Sequence, residues 1–183
     1  IACAQLQGMA QAGVTGTIKH MAANNQEYLR KENDSVLSER ALREIYLRAF
    51  EIAVKHGGAY SIMTSYNAVN GIWTAGNYDL VAEILRKQWG YDGLVMTDWW
   101  ASINEEGEAP STTRTDLMVR SGNDIFMVVE DSLSNSLHDV SAEGLEAGIV
   151  SRADYLQAAR HICKFLLKSP TMENVFSKLQ YLV

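Results

Sequence analysis

Apolar and polar positions along the chain fall into two alternating patterns. Short apolar or β-branched runs read as strands: Val14 to Lys19, Tyr60 to Tyr66, Gly93 to Thr97 and Asn123 to Val129. The stretches between them carry a helical period. Ser38 to His56 is the clearest helix, with Leu42, Ile45, Tyr46, Ala49, Ile52 and Ala53 recurring on one face. Ser38 stands where an N-cap belongs, and Gly57 and Gly58 supply the stop. Further helices are expected at Gln5 to Ala12 (stopping near Gly13), Asp79 to Gln88 (stopping at Trp89-Gly90), Thr115 to Ser121, Ser132 to Ala147 and Arg152 to Lys168, the last ended by Pro170. Asn24 to Asn33 is a polar loop, and Asn70-Gly71 is a turn signal. Ser102 to Thr113, a long acidic loop after the third strand, is the least structured stretch.

Strands alternating with helices of this length imply parallel pairing through βαβ units, hence an α/β fold. The strands are nearly continuously apolar, as expected when both sheet faces are covered. Four strands fit half of an eight-stranded barrel or a small doubly wound sheet, and periodicity does not separate these two. In either fold, reactive side chains gather at the carboxyl ends of the strands.

Composition narrows the functional classes. The 183 residues suffice for one domain with a core, and the formal net charge of -6 argues against nucleic acid and anionic membrane as partners. No apolar run is long enough to span a bilayer. The two cysteines, Cys3 and Cys163, lack a metal-ligand spacing and read as small buried apolar groups, with a disulfide between them left open. The opening IACAQLQGMAQAG reads as the second half of a helix, so a processed protein or a piece of a longer one is expected.

The residues that follow the strands form a carbohydrate-like inventory. Lys19, His20 and the amide-rich Asn24-Asn25-Gln26-Glu27 run follow the first, and Tyr66, Asn67 and Asn70 the second. Asp98, Trp99 and Trp100 follow the third, and Glu130 and Asp131 the fourth. Amides and charges suit sugar hydroxyls; aromatic rings suit the apolar faces of pyranoses. An aspartate at a strand end can equally cap the next turn. Two adjacent tryptophans shift Asp98 toward a carboxylate nucleophile with stacking surfaces beside it. Lys19 and His20 can donate to hydroxyls, although a lysine there is ordinarily solvated. The Tyr66 hydroxyl needs a partner if buried, and Asp98 on a neighbouring strand is a natural one. Arg30 and Arg40 read as structural ion-pair partners, and Asn24 to Glu27 individually as a surface loop. Glu105, Glu106, Glu108, Glu130 and Asp131 lie near the same rim and read as solvated loop charges.

Four segments together resemble glycoside hydrolase family 3, of the β-glucosidase kind: TIKHMAANNQE (Thr17 to Glu27), SERALREIYLRAFEIAVKHGGAYSIMTSYNAVNG (Ser38 to Gly71), ILRKQWGYDGLVMTDWW (Ile84 to Trp100) and RSGNDIFMV (Arg120 to Val128). Each is weak alone, but the four follow the family's order and spacing. The resemblance runs from about Gly13 to Pro170. It implies that the chain is the C-terminal half of a TIM-like (β/α)8 barrel, so that residues 1–183 form a partial catalytic domain. It maps the family's nucleophile to Asp98, its hydroxyl-gripping pair to Lys19 and His20, its strand-end Met and Tyr to Met63 and Tyr66, and its leaving-group platform to Trp99. The implied reaction is retaining hydrolysis of terminal β-D-glucosyl or related residues, with a carbohydrate substrate and no metal or organic cofactor. The family's acid/base carboxylate comes from a downstream domain, so this segment alone is expected to be inactive. It is also expected to self-associate or to pair with the rest of its barrel. A non-catalytic carbohydrate-binding α/β module is the alternative.

Overall fold

The computed structural model describes residues 1–169 and Met172. In chain order these form α1 (Ala2–Gln11), β1 (Thr17–Met21), β2 (Asp34–Ser35), α2 (Glu39–Ala41), α3 (Arg48–Gly57), β3 (Ser61–Thr64), β4 (Ala68–Val69), β5 (Ile72–Trp73), β6 (Leu94–Trp99), α4 (Thr115–Arg120), β7 (Ile125–Met127), α5 (Ser141–Glu146) and α6 (Arg152–Leu167). Leu42–Tyr46 and Asp79–Gln88 are helical segments wound with the wider π turn. Pro170, expected to end the last helix, lies outside the described residues.

The four expected strands are present and all pair in parallel, in the order β1-β3-β6-β7. One face is packed by helices. Ile62 and Val95 from the strands meet Leu42, Leu47, Leu80, Val81, Ile84 and Leu85 in a continuous buried cluster. The other face carries Thr17 and Lys19, which are exposed, and Met63, Met96 and Ile125, which are half-buried. Parallel sheets are ordinarily covered on both faces; here the second face is partly open among the described residues.

Two helices differ from their expected form for identifiable reasons. The π turn at Leu42–Tyr46 inserts extra rotation between α2 and α3. Of the expected face, Leu42, Tyr46 and Ala53 pack into the core, whereas Ile45 and Ile52, 68% and 39% exposed, give way to Leu47, with Phe50 and Val54 packed beside it. Ser38 does cap the segment, its Oγ accepting from Ala41 N at 3.2 Å. Ser132 to Ala147 is helical only from Ser141 to Glu146. Its first half is rich in Ser, Asn and Asp, whose side chains bond the local backbone instead. Asn135 Oδ1 accepts from Asp139 N at 3.0 Å and Ser136 Oγ from Asp131 N at 3.0 Å. The first strand begins at Thr17 rather than Val14, because Gly13 (φ +73°) and the following residues turn the chain off α1.

A second, three-stranded sheet (β2-β4-β5) was not foreseen, its strands being two residues each. Its hairpin does use the Asn70-Gly71 signal. Both residues have positive φ (+51° and +87°), the pairing that matches strand twist in a tight hairpin. The Ser102 to Thr113 loop is likewise ordered. Ile103 and Ser111 bridge antiparallel, and buried Asn104 accepts from Trp73 N and donates to the carbonyls of Gly71 and Glu108. Both cysteines are free, and Cys163 is exposed rather than buried.

Behind the sheet lies a buried polar cluster. The Asp124 carboxylate, 1% exposed, receives Arg86 Nη2 at 2.7 Å and Val95 N at 2.8 Å on Oδ2, and His161 Nδ1 at 2.8 Å on Oδ1. Arg86 also donates to the carbonyls of Gly122 and Gly93. The cluster joins helix Asp79–Gln88, β6, the entry to β7 and α6. Removing Arg86 leaves a buried carboxylate short of its cation. Arg86→Ala is expected to cost about 3–5 kcal/mol in denaturant unfolding, whereas Arg40→Ala, which breaks only the exposed pair with Glu44, should cost under about 1 kcal/mol.

Candidate active site at the strand ends

The carboxyl ends of β1, β3 and β6 bring together three of the expected residues. Asp98, on β6, is 7% exposed. Its Oδ1 accepts from the amide of Trp99 at 2.8 Å, and its Oδ2 lies 3.3 Å from His20 Nε2, at the end of β1. Tyr66 follows β3, which pairs with β6, and its ring is buried. The Tyr66 hydroxyl faces the Asp98 carboxylate and the Trp99 backbone, both of which act on it. Burial, then the Asp98 charge, pushes the phenol above its ordinary range, and Arg30 opposes this.

Arg30 was read from sequence as an ion-pair partner, and it does bind Glu27 at 2.8 Å. The fold adds a role that no spacing reveals. Its guanidinium sits 4.7 Å from the centre of the Tyr66 ring, with Lys31 Nζ at 4.8 Å. The Arg30 charge also reaches His20. The loop from Asn24 to Glu32 therefore arches toward the site, pinned at its ends. Asn67 Nδ2 donates to Ala22 O at 3.2 Å, Ser35 Oγ to Ala23 O at 3.0 Å, and Ala68 N to Asn33 O at 2.9 Å. Within the loop Asn24 donates to Glu27, leaving its own buried Oδ1 without a partner, and Gln26 donates to Tyr28 O.

The remaining expected residues are placed more loosely. The Lys19 side chain is exposed and makes no hydrogen bond among the described residues, although its charge reaches His20. Met63 is half-buried on the open sheet face, in register with Met96. Trp99 is 47% exposed, and Trp100 46%; their rings meet edge to face at 5.7 Å. Trp100 lies in the left-handed region (φ +51°), where a bulky side chain costs about 1 kcal/mol. Of the rim carboxylates, Glu105 pairs with Arg120 at 2.6 Å and Glu108 with Arg114 at 2.8 Å, so neither is a free solvated charge. Asp131 accepts from Leu133 N within its own loop.

The site lies along the rim of the sheet. A concavity of about 780 Å³ between α1, β1 and α3 shares only Lys19 with it. Chemically, the arrangement offers a carboxylate held by one amide with an imidazole 3.3 Å away, cations over a phenol, and exposed aromatic faces. This is suited to attack by Asp98 on an electrophilic carbon of a ring-shaped ligand.

Known proteins share both the sequence and the fold. The profile described as "Glycosyl hydrolase family 3 N terminal domain" matches residues 1–165. A β-glucosidase of Ruminococcus albus is 52% identical over 172 residues, covering 94% of this chain and 18% of that protein. The structure of a β-glucosidase from Paenibacillus barengoltzii superposes with a TM-score of 0.90 at 51% identity, covering 92% of this chain and 19% of the other. That of β-glucosidase 3B from Thermotoga neapolitana, in complex with α-D-glucose, gives 0.79 at 35% identity, covering 94% and 23%. The chain thus spans about a fifth of the length of these relatives.

The electrostatics make a prediction for His20. Burial is the largest influence and lowers its pKa below the ordinary 6.5; Asp98 opposes it, while Lys19 and Arg30 reinforce it. An imidazole NMR titration should show a midpoint below 6.5, and Asp98→Asn should lower it further by removing the main opposing charge. Because the unfolded chain takes up this proton first, the contribution of His20 to stability is present above pH 6.5. It declines as pH falls from 6.5 toward the folded midpoint.

Proposed function

The chain belongs to glycosyl hydrolase family 3, a family of glycosyl hydrolases, and on that premise we propose that it carries the nucleophile of a retaining β-glucosidase-like enzyme. The observation that carries this reading is the nearly buried Asp98 carboxylate, 3.3 Å from His20 and flanked by the exposed Trp99. It sits in a chain 52% identical to a β-glucosidase.

In this reading an Asp98 oxygen attacks the anomeric carbon of a terminal β-D-glucosyl residue, and the glycosidic bond breaks. The departing oxygen takes a proton from a carboxylic acid. Water then cleaves the glycosyl ester, giving its proton to the same group, now a carboxylate, and net retention results. His20, with Nε2 3.3 Å from Asp98 Oδ2, stands beside the nucleophile in its neutral form. Lys19 and His20 orient sugar hydroxyls, Arg30 holds Tyr66 beside the nucleophile, Met63 lines the floor, and Trp99 shapes the leaving-group side.

The acid is assigned to a segment outside the described residues. A retaining pair stands about 5 Å apart. Glu27 also acts on His20 but is paired with Arg30, and Glu105 and Glu108 are engaged by arginines. We read the four parallel strands as the C-terminal half of a (β/α)8 barrel, and residues 1–183 as a partial catalytic domain. The open sheet face and the unpaired edges of β1 and β7 among the described residues support this. Those edges are expected to pair with the rest of the barrel or with another copy. The segment by itself is expected to show little turnover.

The test is intact-mass analysis after incubation with a 2-deoxy-2-fluoro β-glucoside bearing a good leaving group, using the longest chain that carries this segment. A fluoroglucosyl adduct mapping to Asp98 is expected. Asp98→Asn should lose turnover by roughly 10³-fold or more while still binding glucose. Sugar binding with no adduct would favour a non-catalytic carbohydrate-binding module.

A further inference from the structure

Trp100 has no role in the reading above, yet its placement is unusual. It is 46% exposed although large and apolar, and it occupies a left-handed conformation (φ +51°) that glycine or asparagine adopts at lower cost. The same short turn aims the nucleophile. Trp99 N donates to Asp98 Oδ1, Ala101 N donates to Asp98 O at 3.3 Å, and Trp100 N donates to Met127 O, fixing the turn between the ends of β6 and β7. Packing does not account for the ring, because it meets Trp99 edge to face (5.7 Å between centroids, 80° between planes) and leaves nearly half of each residue in solvent. Neither indole N–H has a hydrogen-bond partner among the described residues, whereas Trp73 Nε1 donates to Lys31 O.

Two perpendicular indoles at the rim form an L-shaped corner. Its apolar faces suit the C–H face of a pyranose, and its free N–H groups suit hydroxyls at the ring's edge. We infer that Trp100, with Trp99, forms a second wall of the leaving-group side and selects glycosides whose leaving group is itself a sugar. This rests on Asp98 being the nucleophile. It adds Trp100 as a specificity-determining residue that touches only the leaving group.

The test replaces Trp100 by asparagine, which tolerates the left-handed turn and spares the backbone. The longest chain carrying the segment is assayed on methyl β-glucoside and on cellobiose, laminaribiose and gentiobiose. Reactivation of the 2-fluoroglucosyl enzyme is followed in plain water and with cellobiose as acceptor. Trp100→Asn should lower kcat/KM roughly tenfold on the disaccharides, leaving methyl β-glucoside within about twofold. Reactivation in water, which involves no leaving group, should be unchanged, while transfer to cellobiose slows. Trp100→Phe should restore part of the loss. An equal loss on all substrates and in water would mark Trp100 as structural, and no loss anywhere would remove it from the leaving-group side; either overturns the inference. Absence of an adduct in the unaltered chain would overturn the nucleophile assignment, and this inference with it.

Discussion

The buried Asp124 carboxylate is the fixed point of this structure. Its Oδ2 takes the Val95 amide of β6, while its own amide donates to Val95 O at 2.8 Å, so a single residue closes both sides of the β6–β7 junction. Arg86 and His161 supply the partners that make a carboxylate tolerable in that interior, and they bring helix Asp79–Gln88 and α6 with them. A buried ion pair of this kind need not add net stability over an apolar substitute. What it adds is register. Asp98 is three residues beyond Val95 on the same strand, so the anchor for β6 and the proposed nucleophile are parts of one short lever.

At the other end of that lever, electrostatics divide the labour. Burial works against a charged His20, and the cations of Lys19 and Arg30 work in the same direction, so the imidazole beside Asp98 is held toward its neutral form. Tyr66 is kept protonated by burial and by the same carboxylate. Both neighbours of Asp98 are therefore neutral groups, and the positive charge of the rim is carried by side chains farther out on the loop and strand end. A carboxylate so placed is not tied up in a tight ion pair, as the proposed nucleophilic role requires.

Much of this was legible in the residues. The four parallel strands follow from apolar runs separated by helical period, and the hairpin follows from Asn70-Gly71. Asp98, His20 and Tyr66 fall together because the ends of adjacent parallel strands must. What escaped was geometry that does not repeat with a period. A π turn rotates the Leu42–Tyr46 face by a fraction of a turn that no amphipathic count detects. The two-residue strands β2, β4 and β5 are too short to leave an alternation. Arg30 looked like half of an ordinary surface pair because its second contact, the Tyr66 ring, lies 36 residues away in sequence. The helix expected from Ser132 starts only at Ser141 because short polar side chains compete for the backbone, a signal present in the composition.

The loop between Ala22 and Asn33 stands on two posts that are bonded to one another through residues 65–68 and Ser35. Between the posts, Arg30 and Lys31 reach back over the Tyr66 ring and Lys31 O accepts from Trp73 Nε1, so the loop touches the site as well as its own anchors. Loop closure grows only slowly more costly with length, so the segment can lengthen or shorten between its posts at little cost to the strands that carry Asp98 and His20. In an evolutionary sense it is a replaceable fitting on a permanent frame. Chains sharing the frame can vary the side chains that this loop lays over Tyr66 while keeping the strands that hold Asp98 and His20.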